Sequence, residues 1–171
     1  MFKKLIVGPN GCGKSLFAEA LIKAHFEQFG YFATLPQSSN FKEKIYQHQI
    51  RRDTNWQLIE AKFDIELDMR LLEEMLQASP VVLIDGFTVY LQQLFFNPHR
   101  VGQYNIGHFF ACLAEVEKLL SRPDNNWVFV DCVLDDSEIN RPLKALSDMV
   151  RDGVSRHVPC QSDFIWENFY G

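Results

Sequence analysis

The stretch Gly8-Pro9-Asn10-Gly11-Cys12-Gly13-Lys14-Ser15 has the spacing of a phosphate-binding loop, with two terminal glycines framing four residues and a Lys-Ser pair closing it. Glycines let the backbone curl until several N–H groups face one phosphate, and a following helix adds the positive end of its dipole. Lys14 would then reach the terminal phosphates as a point charge, and the Ser15 hydroxyl would complete the shell of an octahedral Mg²⁺ ion. A second candidate is Asp85, which follows the aliphatic run Val81-Val82-Leu83-Ile84. A carboxylate at the end of such a strand enters the crevice beside the phosphates and serves as a second metal residue. The bland alternative for Asp85 is a turn start, or a cap for the next helix, ahead of Gly86.

A third candidate is His48, with Lys44 four residues before it, Arg52 four after it and Arg51 three after it. On a helix these share a face, where the cations disfavour the imidazolium and can hold a polyphosphate for a neutral ring to attack. A solvated basic helix face is the ordinary reading of the same pattern. The other histidines, at positions 25, 99, 108 and 157, have no partners at metal-ligand spacing.

These residues need elements to place them. Lys3 to Val7 reads as a buried strand, and the periodicity of Leu16, Phe17, Ala20, Leu21 and Ala24 predicts a helix running toward Gly30. The loop thus sits between strand and helix. Further on, the pattern predicts a strand over 31–34, a polar helix over 41–52 and an amphipathic helix over 64–78 ended by Pro80. Val81 to Ile84 is continuous and aliphatic, as in a central strand covered on both faces. Helices near 87–96, 107–121 and 138–152, strands near 127–133 and 164–170, and loops at 97–106 and 153–162 complete the chain. The alternation predicts an α/β fold.

The chain has 171 residues, 47% hydrophobic and 23% charged, with no repeat or linker, which predicts one domain over residues 1–171. A net charge of −5 argues against a general grip on nucleic acid. The apolar runs are too short to span a membrane and no signal-like stretch follows the two N-terminal lysines, so a cytoplasmic location is expected. Cysteines 12, 112, 132 and 160 lack metal or redox spacing and are expected to be reduced and mostly buried.

Taken together, the phosphate loop running into Phe17-Ala18-Glu19-Ala20-Leu21-Ile22, then Tyr31-Phe32-Ala33-Thr34, Lys44-Ile45 with His48 and Arg52, Trp56, Glu60 and Val82 to Leu91 resemble one family. It is the bifunctional adenosylcobinamide kinase / adenosylcobinamide-phosphate guanylyltransferase family of coenzyme B12 assembly. The resemblance is strong over residues 4–96, with a weaker echo at Arg151-Asp152-Gly153. It implies a P-loop NTPase fold with a mostly parallel central sheet and helices on both faces. The implied chemistry is phosphorylation of the corrinoid's hydroxyl by a nucleoside triphosphate, ATP or GTP, followed by GMP transfer from GTP through a guanylyl-histidine at His48. By the same resemblance, residues 8–15, Ala33, Thr34, Leu35, Gln49, Ile50, Arg51, Arg52, Glu60 and Asp85 contact the nucleotide or its Mg²⁺, and the protein forms a homo-oligomer, with a trimer suggested.

The chain departs from the family pattern in two places. Its loop lacks the Arg of the usual Gly-Gly-Ala-Arg-Ser-Gly-Lys-Ser. After the strand at 127, Asp131-Cys132-Val133-Leu134-Asp135-Asp136 stands where the family carries Asn-Glu-Val-Gly. Asp131, Asp135 and Asp136 read as charges at a helix N-terminus, with replacement of the lost carboxylate as the alternative. Three rival functions stay open: a diverged P-loop kinase or NTPase on another small molecule, a nucleotide-binding regulator without turnover and, least favoured, a transporter ATPase, whose Ser-Gly-Gly-Gln signature is absent.

Overall fold

The computed structural model describes residues 1–36, 46, 56–100, 102–138 and 140–159, and the backbone of 164–165. Strand β1 (Lys3–Gly8) leads through the glycine loop into helix α1 (Lys14–Lys23), followed by β2 (Phe29–Ala33). Then come β3 (Trp56–Glu60), α2 (Ile65–Ala78), β4 (Val82–Asp85) and α3 (Phe87–Phe95). A short 3-10 turn (Pro98–Arg100), α4 (Ile106–Ser121), β5 (Trp127–Cys132), α5 (Arg141–Ser155) and β6 (Phe164–Ile165) complete the described elements. The six strands form one sheet in the order β3-β2-β4-β5-β1-β6, every pair parallel.

Period-two alternation sorts the strand residues between two cores. Ile6, Tyr31, Ala33, Val81, Leu83, Val128 and Val130 pack with Ala18 and Ile22 of α1. Leu5, Val7, Phe32, Val82, Ile84 and Phe129 face the other way, toward buried residues of α2, α3, α4 and α5. β4 lies third of six, and its Val82, Leu83 and Ile84 are fully buried, as a strand covered on both faces requires.

The ends of the elements are set locally. The Asp64 side chain accepts from Leu67 N and starts α2. At α4, Asn105 and His108 bond each other's backbone N–H reciprocally. Lys3, 3% exposed, donates from Nζ to the carbonyls of Leu120 (2.6 Å) and Arg122 (2.9 Å), satisfying the end of α4. Burial pulls the pKa of this ammonium below its ordinary value.

The structure amends several sequence expectations. β2 begins two residues earlier than expected, at Phe29. β3 was not anticipated: Trp56-Gln57-Leu58-Ile59-Glu60 mixes polar and apolar residues on an edge strand and shows no aliphatic run. α5 starts at Arg141 with a proline in its first turn, later than expected, and continues through Ser155 into the stretch read as a loop. The helix expected over 41–52 lies outside the described residues except for Tyr46, which is helical. Among the described residues no helix is long and apolar enough to cross a membrane. Cys12, Cys112 and Cys132 are buried free thiols, as expected; Cys160 lies outside the described residues.

Candidate functional site

Parallel strands bring their C-terminal ends to one edge, and registration makes this edge specific. Asp85 pairs with Ala33 of β2 and Val130 of β5, Gly8 with Cys132, and Ala33 with Glu60 of β3. The phosphate loop, Asp85, Ala33 and Glu60 therefore share one rim.

Within the loop, Gly11 and Gly13 have φ of 78° and 88°, a left-handed conformation that is strained for any residue with a Cβ. Gly13 is the N-cap of α1 and makes no side-chain capping bond, so the first backbone N–H groups of that helix point into the loop's mouth. Lys14 leans back over the loop, donating from Nζ to the Pro9 carbonyl at 2.9 Å. Such a lysine can exchange that carbonyl for a phosphate oxygen.

Opposite the loop, the Ser15 hydroxyl donates to Asp85 Oδ1 at 3.1 Å and the Tyr31 hydroxyl donates to Oδ2 at 2.7 Å. The Thr34 hydroxyl lies 2.6 Å from the Asp85 carbonyl and 2.7 Å from that of Gly86, its single proton shared between them. Gly86 is left-handed at φ 80°, and a Cβ there would sit 3.0 Å from Thr34 Oγ1. Thr34, expected among the nucleotide contacts, is 1% exposed and has its hydroxyl committed to the turn that carries Asp85.

A hydroxyl and a carboxylate beside a row of backbone N–H groups form a hard oxygen set that suits a Mg²⁺ ion taking its remaining ligands from water and phosphate. Among the described residues no group of three or more His, Cys, Asp or Glu could hold a metal unaided.

The acidic run after β5 divides in two. Asp131 is 1% exposed, and strand alternation turns it to the face opposite Val130 and Asp85. There it accepts from the Thr88 backbone N–H (2.8 Å) and the Ser147 hydroxyl (3.1 Å), capping α3 from a neighbouring strand and tying it to α5. Burial pushes its carboxyl pKa up. It cannot replace a carboxylate on the loop side. Asp135 accepts from the Ser137 hydroxyl and from Asn140, and Asp136 lies 3.6 Å from Lys144, so both serve the entry to α5. The β5 residue in register with Gly8 is Cys132. Burial and the Asp131 charge raise its thiol pKa, with Thr88, Lys14 and Arg151 pulling the other way.

The structure thus unites residues 8–15, Ala33, Thr34, Glu60 and Asp85 at one rim, with Leu35 just beyond β2. His48, Gln49, Ile50, Arg51 and Arg52 lie outside the described residues. Tyr31 belongs to a sequence motif of the site, but its sequence position alone does not mark it as a site residue. A buried tyrosine two positions before a strand's end, on the strand beside the acidic one, is the signal that could have found it.

Comparison with known proteins adds one family. Residues 4–133, well over half of the chain, match the family model described as cobinamide kinase / cobinamide phosphate guanyltransferase. No curated protein matches. Among solved structures, one similar chain is the assembled ATPase EscN of the enteropathogenic E. coli type III secretion system, at 12% identity and TM-score 0.49. That match covers 88% of this chain and 41% of the other, so the chain spans well under half of EscN. Another is the DnaC helicase loader, at 15% identity and TM-score 0.39, covering 91% of this chain and 72% of that one.

Proposed function

The chain belongs to the cobinamide kinase / cobinamide phosphate guanyltransferase family, and from that premise we propose that its phosphate loop and His48 divide the family's two reactions between them. As a member it is a nucleotide-dependent transferase of cobalamin biosynthesis, with cobinamide and nucleotides as its small-molecule substrates.

The observation that carries the assignment of roles is the Ser15–Asp85 contact of 3.1 Å at the mouth of a loop that holds Lys14 and two left-handed glycines. The Ser15 hydroxyl directs its proton at Asp85, which leaves the oxygen's lone pairs free, and Ser15 and Asp85 would together hold a Mg²⁺ ion whose other ligands come from water and phosphate. When bound, such a cation spreads the negative charge of the transferring phosphates. Lys14 takes the terminal phosphates, and the N-terminal N–H groups of α1 hold the chain of phosphates in line.

In the kinase step the corrinoid's hydroxyl oxygen bonds to the γ-phosphorus, the bond from that phosphorus to the β-bridging oxygen breaks, and the hydroxyl proton leaves to solvent. In the second reaction a neutral His48 ring nitrogen bonds to the α-phosphorus of GTP and pyrophosphate departs. The cobinamide phosphate oxygen then takes the same phosphorus, and the P–N bond breaks to return free histidine. Lys44, Arg51 and Arg52, spaced around His48, supply cations for the departing pyrophosphate.

The test is incubation with Mg²⁺ and GTP labelled on its α-phosphate, followed by a search for acid-labile, base-stable protein label. The native protein should carry it and His48→Ala should not. No label on a protein that still binds the nucleotide would discard the histidine step and leave a kinase or a silent binder.

A further inference from the structure

Tyr31 is 2% exposed and lies in the core on the α1 side of the sheet, among Ile6, Ile22, Leu83 and Val128. A phenol in such surroundings is costly unless its hydroxyl finds a partner. The partner here is Asp85 Oδ2, at 2.7 Å. Adjacent strands make the contact possible: Tyr31 pairs with Leu83, two residues before Asp85, and the length of the phenol ring spans the difference. The ring is held in turn. Trp56 of the next strand stacks on it at 5.5 Å with 17° between planes, and Lys23 lies 5.1 Å above Trp56.

Resting on the assignment of Asp85 to the cation, we infer that Tyr31 is a positioning residue that fixes the Asp85 carboxylate for metal binding from inside the core. A carboxylate held at one oxygen can still turn about its Cβ–Cγ bond. With Ser15 donating to Oδ1 and Tyr31 to Oδ2, both oxygens are engaged and the plane is set. Thr34, bonded to the carbonyls of Asp85 and Gly86, fixes the backbone of the same residue, so side chain and main chain are held from β2 and from the residue that follows it.

Tyr31→Phe removes one oxygen and leaves the stacked ring. The protein is titrated with Mg²⁺ in the presence of a fluorescent GTP analogue, and the Mg²⁺ half-saturation is read beside the nucleotide affinity in EDTA. Losing a charge-assisted hydrogen bond to the metal residue should raise the half-saturation about tenfold, with metal-free nucleotide affinity unchanged. Asp85→Asn should raise it at least as far, and adding Tyr31→Phe to that variant should change it no further. If Asp85→Asn shifts the half-saturation while Tyr31→Phe leaves it within about twofold, or the two effects add, Tyr31 is merely a core residue and the inference is overturned. If Asp85→Asn itself shifts nothing, the assignment of Asp85 has failed, and the inference with it. A thermal melt of Tyr31→Phe completes the set, because a purely structural role would lower the midpoint and spare the Mg²⁺ dependence.

Discussion

Replacing Asp131 tests the claim that this carboxylate holds helices rather than a substrate. It accepts from Thr88 N at 2.8 Å and Ser147 Oγ at 3.1 Å, while Ser147 Oγ also lies 2.6 Å from Thr88 Oγ1. In Asp131→Ala the two hydroxyls can still bond each other, but the Thr88 N–H is left buried without an acceptor and a small cavity opens. An orphaned buried donor costs about 1–3 kcal/mol, so with the cavity a loss of roughly 3 kcal/mol is expected. For a domain of this length that lowers the melting midpoint by roughly 6–12 °C. Asp131→Asn keeps an acceptor for Thr88 and offers its amide to Ser147, so it should stay within about 1 kcal/mol of the parent near neutral pH. The pH dependence has a definite sign. Burial raises the folded pKa of Asp131 above the unfolded value of about 3.9, so the folded state binds the proton more readily. The contribution is fully present below the unfolded pKa and is lost as pH rises through the folded one. The asparagine variant lacks that slope and should gain on the parent as pH increases. Urea titrations of the three proteins at stepped pH read both effects. An alanine variant that melts within about 2 °C of the parent, or an asparagine variant as weak as the alanine one, would refute the capping role.

Three further outcomes follow from local packing and buried hydrogen bonds. At Gly30 a Cβ would lie 2.6 Å from Met75 Cγ and 2.7 Å from its Sδ in the core, so Gly30→Ala should cost about 1–3 kcal/mol. Gly153→Ala meets the Glu117 carboxylate instead, which can swing aside, and its urea midpoint should move less. Asp68 is fully buried and accepts from Lys62 N (2.8 Å), Asp64 N (3.1 Å) and the Tyr90 hydroxyl (3.0 Å). Asp68→Ala should therefore speed amide exchange at Lys62 and Asp64 and cost at least about 3 kcal/mol, measured by hydrogen exchange and urea unfolding.

The phosphate loop was legible because its demands are local: left-handed glycines and a Lys-Ser pair between an aliphatic strand and a periodic helix leave few other readings. β4 was legible for a similar reason, since a strand buried on both faces has no polar position to confuse the pattern. β3 was not, because on an edge strand half-exposed Leu58 and Gln57 obey the sheet without alternating cleanly. What makes Trp56-Gln57-Leu58-Ile59-Glu60 a strand is its register against Phe29 to Ala33, a partner 27 residues away that local periodicity cannot see. The same limit hid Tyr31: nothing near it in sequence says that Asp85 lies beside its hydroxyl.

Strand alternation also explains why the acidic run after β5 serves helix ends, as its sequence reading expected, and not the phosphate side. Asp85 and Asp131 stand at the ends of adjacent paired strands, and Val130 is in register with Asp85, so the next residue must face the opposite core. One position decides between a carboxylate at the phosphates and a cap for α3. The residue that reaches the loop's level on β5 is Cys132, whose buried thiol stays neutral and can neither hold a hard cation nor act as a general base. The loop side therefore depends on the start of α1, on β2 and on β4 for its charged and hydrogen-bonding groups, and β5 contributes backbone and packing. A change in what β5 presents can leave the nucleotide half of the site whole. Binding of Mg²⁺ and nucleotide should survive Cys132→Ser with little change, whereas any loss of the Tyr31–Asp85–Ser15 chain strikes its Mg²⁺ dependence directly.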